Sequence, residues 1–202
     1  QHVDACLLDS MIFQSNGFLT LGAMGVPTPR WGNEYPFAVP CNMFACKDGQ
    51  VYLGVLLDGH WKTLARLMDR EDLADDPNYV VLANRLQRRD EINALVAQWT
   101  ADRMVADVVD LLVKGGLTAA PVRTPDQAAK DAHILARDML QETPQLNGSF
   151  APIVGPAAKF SRTPTRVRSG APALGAQNGE ILQGIGLSSE EIEILQEKKV
   201  IG

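Results

Sequence analysis

The sequence predicts an α/β chain in three zones. These are an apolar helix over residues 1–25, a small α+β unit over 26–142, and a loop-rich return segment with a closing helix over 143–202. Three observations carry this reading. Two strand-like runs flank Asp48-Gly49 and mark a hairpin, and apolar stripes of helical period follow it. After Pro144 the composition shifts to Gly, Pro and Ser.

Each element has a local cause. Val3, Cys6, Leu7, Met11 and Ile12 recur at the spacing of one buried helix face, so residues to about 24 read as a single helix interrupted by Gly17 and Gly22. "VPTPRWGNEYPFAVP" holds four prolines and reads as an extended linker. In "NMFACKDGQVYLGVL" the Asp-Gly pair supplies the positive φ that tight hairpin turns require. Asp58 then stands where it can cap a helix with the stripe Trp61, Leu64, Ala65 and Met68. Further stripes follow at Ile92, Leu95, Val96 and Trp99, and at Val105, Val108, Leu111 and Leu112. The second stops at Gly115-Gly116, where Gly accepts a left-handed cap. "LTAAPVR" reads as a short strand. Thr124, Pro125 and Gln127 form a capping box for one helix through "DAHILARDML". Short strands are expected at "FAPIV" and "AAKFS". A last helix has Ser188 and Glu191 as capping box and Lys198 and Lys199 in its final turn. The first and last zones have apolar faces but few elements to bury them against.

Composition narrows the function classes. With 202 residues, 46% hydrophobic and 21% charged, the chain reads as soluble and globular. A chain of this length buries roughly 70% of its unfolded surface. Its apolar runs fall short of the ~20 residues of a membrane helix, so no membrane partner is expected. A net charge of −5 argues against nucleic acid. One basic stretch, "KFSRTPTRVR", with Lys159, Arg162, Arg166 and Arg168, is either a solvated turn or an anchor for an anionic ligand or an acidic neighbouring surface. The three cysteines include no C-x-x-C pair, which fits a reducing cytoplasm. The three histidines and the cysteines assemble no zinc site by spacing, so no metal is expected. Cys41 or Cys46 with His60 would make a thiol–imidazole pair, against the alternative of buried structural cysteine.

The phosphate-loop, dinucleotide and nucleophile-elbow motifs are absent from the sequence. Asp58-Gly59-His60-Trp61 is the notable tetrad. It sets a carboxylate, an imidazole and an aromatic where a strand hands over to a helix N-terminus, a common ligand-facing position. The alternative is a helix cap with Trp61 in the core.

Six stretches taken in order resemble the class III CoA-transferases, the CaiB/BaiF group with formyl-CoA and carnitine CoA-transferases as members. "QHVDACLLDS" resembles the family's G-Q-x-V-D-x-S-L-L-D-A, and "MFACKDGQVYLGVLLDGHWKTLARLM" its hairpin and D-x-x-W helix. "LADDPNYVVLANRLQRRDEINALVAQWTADR" is similar to D-D-P-R-F…N-R…E-L. "GGLTAAPVRTPDQAAKDAHILARDML" is similar to G-V-P-x-x-P-V…A-R-x-M. "KFSRTPTRV" and "APALGAQNGEILQGIGLSSEEIEIL" resemble the S-x-T-P and P-x-L-G-E-H endings.

The resemblance implies a C-terminal half, with residues 1–25 and 143–202 belonging to a Rossmann-like large domain and 26–142 forming the small domain. It implies an interlocked, cytoplasmic homodimer that acts on an acyl-CoA and a small carboxylic acid, with coenzyme A as the transferred group. CoA would move through an aspartyl-CoA intermediate. The nucleophilic aspartate is expected upstream of Gln1, since Asp4 and Asp9 do not match its position. Asp58 matches the D-x-x-W position, a Glu facing the acyl-CoA site in racemase-type relatives. His60, Phe37, Asn42 and Phe44 are candidate pocket-lining residues, each with a structural alternative. "YPFAVPC" replaces the Gly-rich loop of the formyl-CoA type, which speaks against formyl or oxalyl substrates, and "LGAQN" replaces L-G-E-H. Two further readings are a racemase or epimerase on the same scaffold and a non-catalytic assembly module. The segment alone is expected to be inactive.

Overall fold

In the computed structural model, which describes residues 2–15 and 17–201, the single opening helix is two: α1 (Leu7–Phe13) and α2 (Phe18–Ala23). The break falls at Gly17, whose φ of 84° is costly for any residue bearing a β-carbon, whereas Gly22 continues inside α2. Position 16 lies outside the described residues. Neither helix buries a side chain: Leu7 is 88% and Phe13 85% exposed.

The Pro-rich linker leads into the hairpin of β1 (Cys41–Cys46) and β2 (Gly49–Gly54), which β3 (Thr118–Pro121) extends in the order β1-β2-β3, all antiparallel. Cys46 pairs with Gly49, leaving Lys47 and Asp48 as a two-residue turn. The turn works differently from the expectation, because neither Asp48 nor Gly49 has positive φ. Docking holds it instead. Lys47 N–H donates to the Arg103 carbonyl at 2.9 Å, and Asp48 Oδ1 accepts from Val105 N–H at 2.8 Å.

Helices cover one face of this sheet. They run α3 (Asp58–Leu67), α4 (Glu71–Ala74), α5 (Pro77–Val80), α6 (Leu82–Gln87), α7 (Arg89–Ala101) and α8 (Val105–Lys114). α7 lies against β1, and α8 against β2 and β3. The expected stripes do the burying: Trp61, Leu64, Ala65, Ile92, Val96, Val108 and Leu112 are solvent-free. They meet Phe44, Val51, Leu53 and Val55 from the sheet. Leu111 stays partly exposed. Gly116, at φ 76°, makes the left-handed stop after α8. Among the described residues, the buried side chains of this cluster run from Val39 to Leu117.

The chain divides into two units, one up to Val122 and one from Arg123. In the second unit the expected long helix is again two, α9 (Pro125–Ala128) and α10 (Ala132–Ala136). The Thr124/Gln127 capping box forms, but Asp131 then caps a new helix by accepting from the N–H groups of His133 and Ile134. β4 (Leu140–Pro144) pairs with β5 (Phe150–Val154). "FAPIV" is therefore a strand, whereas "AAKFS" is not. α11 (Asn178–Gly184) precedes α12 (Ser189–Glu197), where the Ser188/Glu191 capping box is present. Lys198 is the C-cap of α12 and Lys199 lies beyond it, so neither falls in the last turn. Among the described residues, no helix is long and apolar enough to cross a membrane.

Candidate functional site

The strand-to-helix corner at Asp58 is organised around a cation that the sequence reading passed over. Arg85, on α6, has no exposed surface, and a buried guanidinium is costly unless every donor finds a partner. Its Nε donates to the Val39 carbonyl at 2.9 Å, and Nη1 to the carbonyls of Tyr79 and Val80 at 2.9 and 2.7 Å. Nη2 donates to Asp58 Oδ1 at 3.1 Å. The guanidinium carbon lies 5.8 Å from the centre of the Trp61 ring, which stacks on Tyr79 and donates its indole N–H to the Leu73 carbonyl. Burial pushes the Arg85 pKa down, and the hydrogen bond to Asp58 pushes it back up.

Asp58 does not cap its own helix. Leu57 is the N-cap of α3, and the Asp58 carboxylate reaches across the corner, where Oδ1 also accepts from Leu82 N–H at 3.0 Å, the first residue of α6. The cap reading was right in kind and wrong in address. Both bonds converge on Oδ1, while the side chain remains 53% exposed. Oδ2 has no hydrogen-bond partner among the described residues.

A second clamp continues one turn further on. Arg89, on α7, pairs with Glu34 at 2.7 Å and donates to the Pro36 carbonyl at 2.6 Å, with its guanidinium 5.0 Å from the Trp31 ring centre. Asn93 Nδ2 donates to Glu34 Oε1 at 2.6 Å. Arg85, Arg89 and Asn93 thus recur at a spacing of four and fix the backbone of the linker between Trp31 and Pro40. The N-R dipeptide at Asn84-Arg85 was the available signal, but periodicity arguments weigh apolar residues and skip a buried arginine.

The other candidate residues are distributed. His60 shares the first turn of α3 with Asp58, and its Nδ1 is buried without a hydrogen-bond partner. Phe37 stacks on Phe18 at 5.8 Å and meets Tyr35 edge-on, beside a cleft of about 400 Å³ lined by Phe18, Trp31, Glu34, Tyr35 and Pro36. Asn42 lies on β1 opposite Leu53, with Oδ1 accepting from Met43 N–H. Phe44, opposite Val51, is in the core.

Neither cysteine of β1 engages His60. Cys41 is buried with its Sγ 3.3 Å from the Tyr52 hydroxyl, and burial followed by the nearby Asp48 pushes the Cys46 thiol pKa up. Among the described residues, no group of three or more His, Cys, Asp and Glu side chains is placed to hold a metal. In the second unit, Arg166 and Arg168 of the basic stretch line an open cleft of about 920 Å³ with Phe160, Thr163 and Thr165.

Comparison with known proteins places this geometry. The model of CoA-transferase family III matches residues 1–178. An acyl-CoA transferase of Fusarium pseudograminearum is 30% identical over 100% of this chain and 45% of its own length. The succinyl-CoA:mesaconate CoA-transferase of Haloarcula hispanica is 32% identical over 96% of this chain and 49% of its own. A CaiB/BaiF family protein from Brucella suis, of known crystal structure, superposes with a TM-score of 0.70 at 25% identity, covering 92% of this chain and 48% of that one. The chain therefore spans about half the length of the relatives it matches. With the matched segment running from the opening residues into α11, the chain belongs to CoA-transferase family III.

Proposed function

We propose that this chain is the C-terminal portion of a cytoplasmic acyl-CoA:carboxylic acid CoA-transferase. The observation that carries the reading is the match along nearly the whole chain to relatives named as CoA-transferases, several of which use succinyl-CoA by name. In this reading an aspartate preceding the segment attacks the acyl-CoA carbonyl. The CoA thiolate leaves, and a mixed anhydride forms. The thiolate then attacks the aspartyl carbonyl, releasing the first acid and leaving an aspartyl-CoA thioester. The acceptor carboxylate attacks that thioester, and the returning thiolate cleaves the new anhydride to give the new acyl-CoA and the free aspartate.

The segment supplies the wall opposite the nucleophile. Asp58 and His60 face the acyl-CoA from the α3 corner, with Phe37 and Asn42 in the surrounding wall and Phe44 supporting β1 from the core. Residues 1–25 and 143–202 belong to the large domain and 26–142 to the small one, and two subunits interlock. The exposed apolar faces of α1 and α2 support this assignment, since such faces are covered in a finished protein.

The test is a CoA-transfer assay on the intact polypeptide with succinyl-CoA and mesaconate as probes, with mass spectrometry to trap a protein-bound CoA adduct. Transfer with an adduct on an aspartate preceding this segment is expected, and no turnover by the 202-residue segment alone. Exchange of the α-proton of a branched acyl-CoA without CoA transfer would replace this reading with a racemase.

A further inference from the structure

We propose that Arg85 is a positioning residue that presents Asp58 Oδ2 to a hydrogen-bond donor of the acyl-CoA; this inference rests on the reading of the chain as part of a CoA-transferase. A core position can be filled by an apolar side chain at no electrostatic cost, so a guanidinium with no exposed surface needs a reason. Its bonds supply one. The cation joins four segments: Val39 before β1, Tyr79 and Val80 of α5, α6 itself, and Asp58 at the start of α3. Val39 is followed by Pro40, whose carbonyl accepts from Val55 N–H at 2.8 Å, which ties in the end of the hairpin as well.

What this network leaves free is specific. The Arg85 Nη2 and Leu82 N–H donors both converge on Oδ1, fixing the rotation of the carboxylate and leaving Oδ2 unbonded on a side chain that is 53% exposed. An ionised carboxylate only accepts hydrogen bonds. Oδ2 therefore suits an amide N–H or hydroxyl of the thioester substrate, and offers no hydrogen bond to the carboxylate of the acceptor acid. Loosening Arg85 affects binding of one substrate and spares the other. A cation serving the fold alone gives no such split.

The experiment measures KM separately for succinyl-CoA and for the acceptor acid in the intact transferase. The variants are Asp58→Asn, which keeps the Oδ1 acceptor, Arg85→Lys, which keeps the charge without the fork, and the double variant. Each single change is expected to raise KM for the thioester by roughly tenfold, about one good hydrogen bond, and to leave KM for the acid within about twofold. The double variant is expected to be no worse than the poorer single, because the two residues act as a unit. Unchanged thioester KM in folded variants, or fully additive effects, overturns the inference while leaving the transferase reading intact. If Arg85→Lys does not fold, Asp58→Asn alone decides by the same criterion. A wild-type enzyme that transfers no CoA removes the reading and this inference together.

Discussion

Replacing Arg85 by Met tests whether the corner is an electrostatic junction or ordinary packing. The substitution keeps an unbranched side chain in the core but removes every donor. The Val39, Tyr79 and Val80 carbonyls lose their side-chain partner, and Asp58 loses its counter-ion. Water can replace the partner that the 53% exposed Asp58 loses, so the ion pair itself accounts for at most about 1 kcal/mol. The three buried carbonyls carry most of the cost, at about 1 kcal/mol each for lost net hydrogen bonds, or ~3 kcal/mol together. Against a total of roughly 5–15 kcal/mol this is a large fraction. Asp58→Ala should also destabilise, because it leaves the fully buried guanidinium without its counter-ion. The assay is urea unfolding followed by tryptophan fluorescence, with Trp61 stacked beside the guanidinium as the local probe. A loss below about 1 kcal/mol for Arg85→Met would refute the argument.

Four other outcomes follow from the geometry. Ser188→Ala should destabilise α12 by about 1 kcal/mol by removing the cap, read as faster amide exchange in that helix alone. Gly155→Ala should loosen the β4–β5 hairpin, since an added β-carbon would stand 2.7 Å from the Asp138 carbonyl oxygen; unchanged exchange across the hairpin would contradict this. Tyr52 is pushed up to about 12, first by burial and then by its hydrogen bond to Cys41. Its pKa is raised in the fold, so the stability it contributes is complete below the unfolded value of ~10 and is lost as pH rises toward 12. Tyr52→Phe should remove that part of the alkaline unfolding limb. Glu91 is held below the usual carboxylate range, first by the Tyr79 hydroxyl and then by Arg88. Its contribution is present above ~4.3 and is lost as pH falls through its lowered value; acid titration of Glu91→Gln should show a flatter limb.

What could be read from the sequence divides along physical lines. Trp61, Leu64, Ile92, Val96, Val108 and Leu112 were legible because burial imposes a period, and the caps at Thr124 and Ser188 because each is local chemistry. The hairpin at Asp48 was found, but its stated cause was not the real one. Asp-Gly suggested a positive-φ turn, and the turn is instead docked on the segment before α8. The break at Gly17 was legible, but Gly22 proved to be no break and the one at Asp131 was missed, because Gly22 and Asp131 each had two plausible roles and only tertiary context chooses between them. At the candidate site, Asp58 stands out in the sequence, but its partners Leu82 and Arg85 lie 24 and 27 residues away, beyond the reach of any spacing rule.

The position of Asp58 within the stability of the molecule gives this arrangement its sense. In the first unit the buried apolar cluster runs from Val39 to Leu117, and among the described residues neither α1 nor α2 contributes to it. Asp58 is anchored to that core through a fully buried cation, yet its side chain is 53% exposed and Oδ2 takes part in neither bond. In the proposed reading Asp58 meets a substrate held by another part of the protein, and such a group needs both properties. It must not move with the loops around it, and it must not be satisfied internally. The linker from Trp31 to Pro40 is held to the same core by Arg89 and Arg85, so the approach to β1 is fixed by the same helices as the carboxylate. Hydrogen exchange should therefore show the linker amides that follow Glu34 protected together with α6 and α7, and α1 and α2 exchanging independently. If the linker instead exchanges with α1 and α2, the arginines do not couple it to the core, and the shared anchoring of linker and Asp58 fails with them.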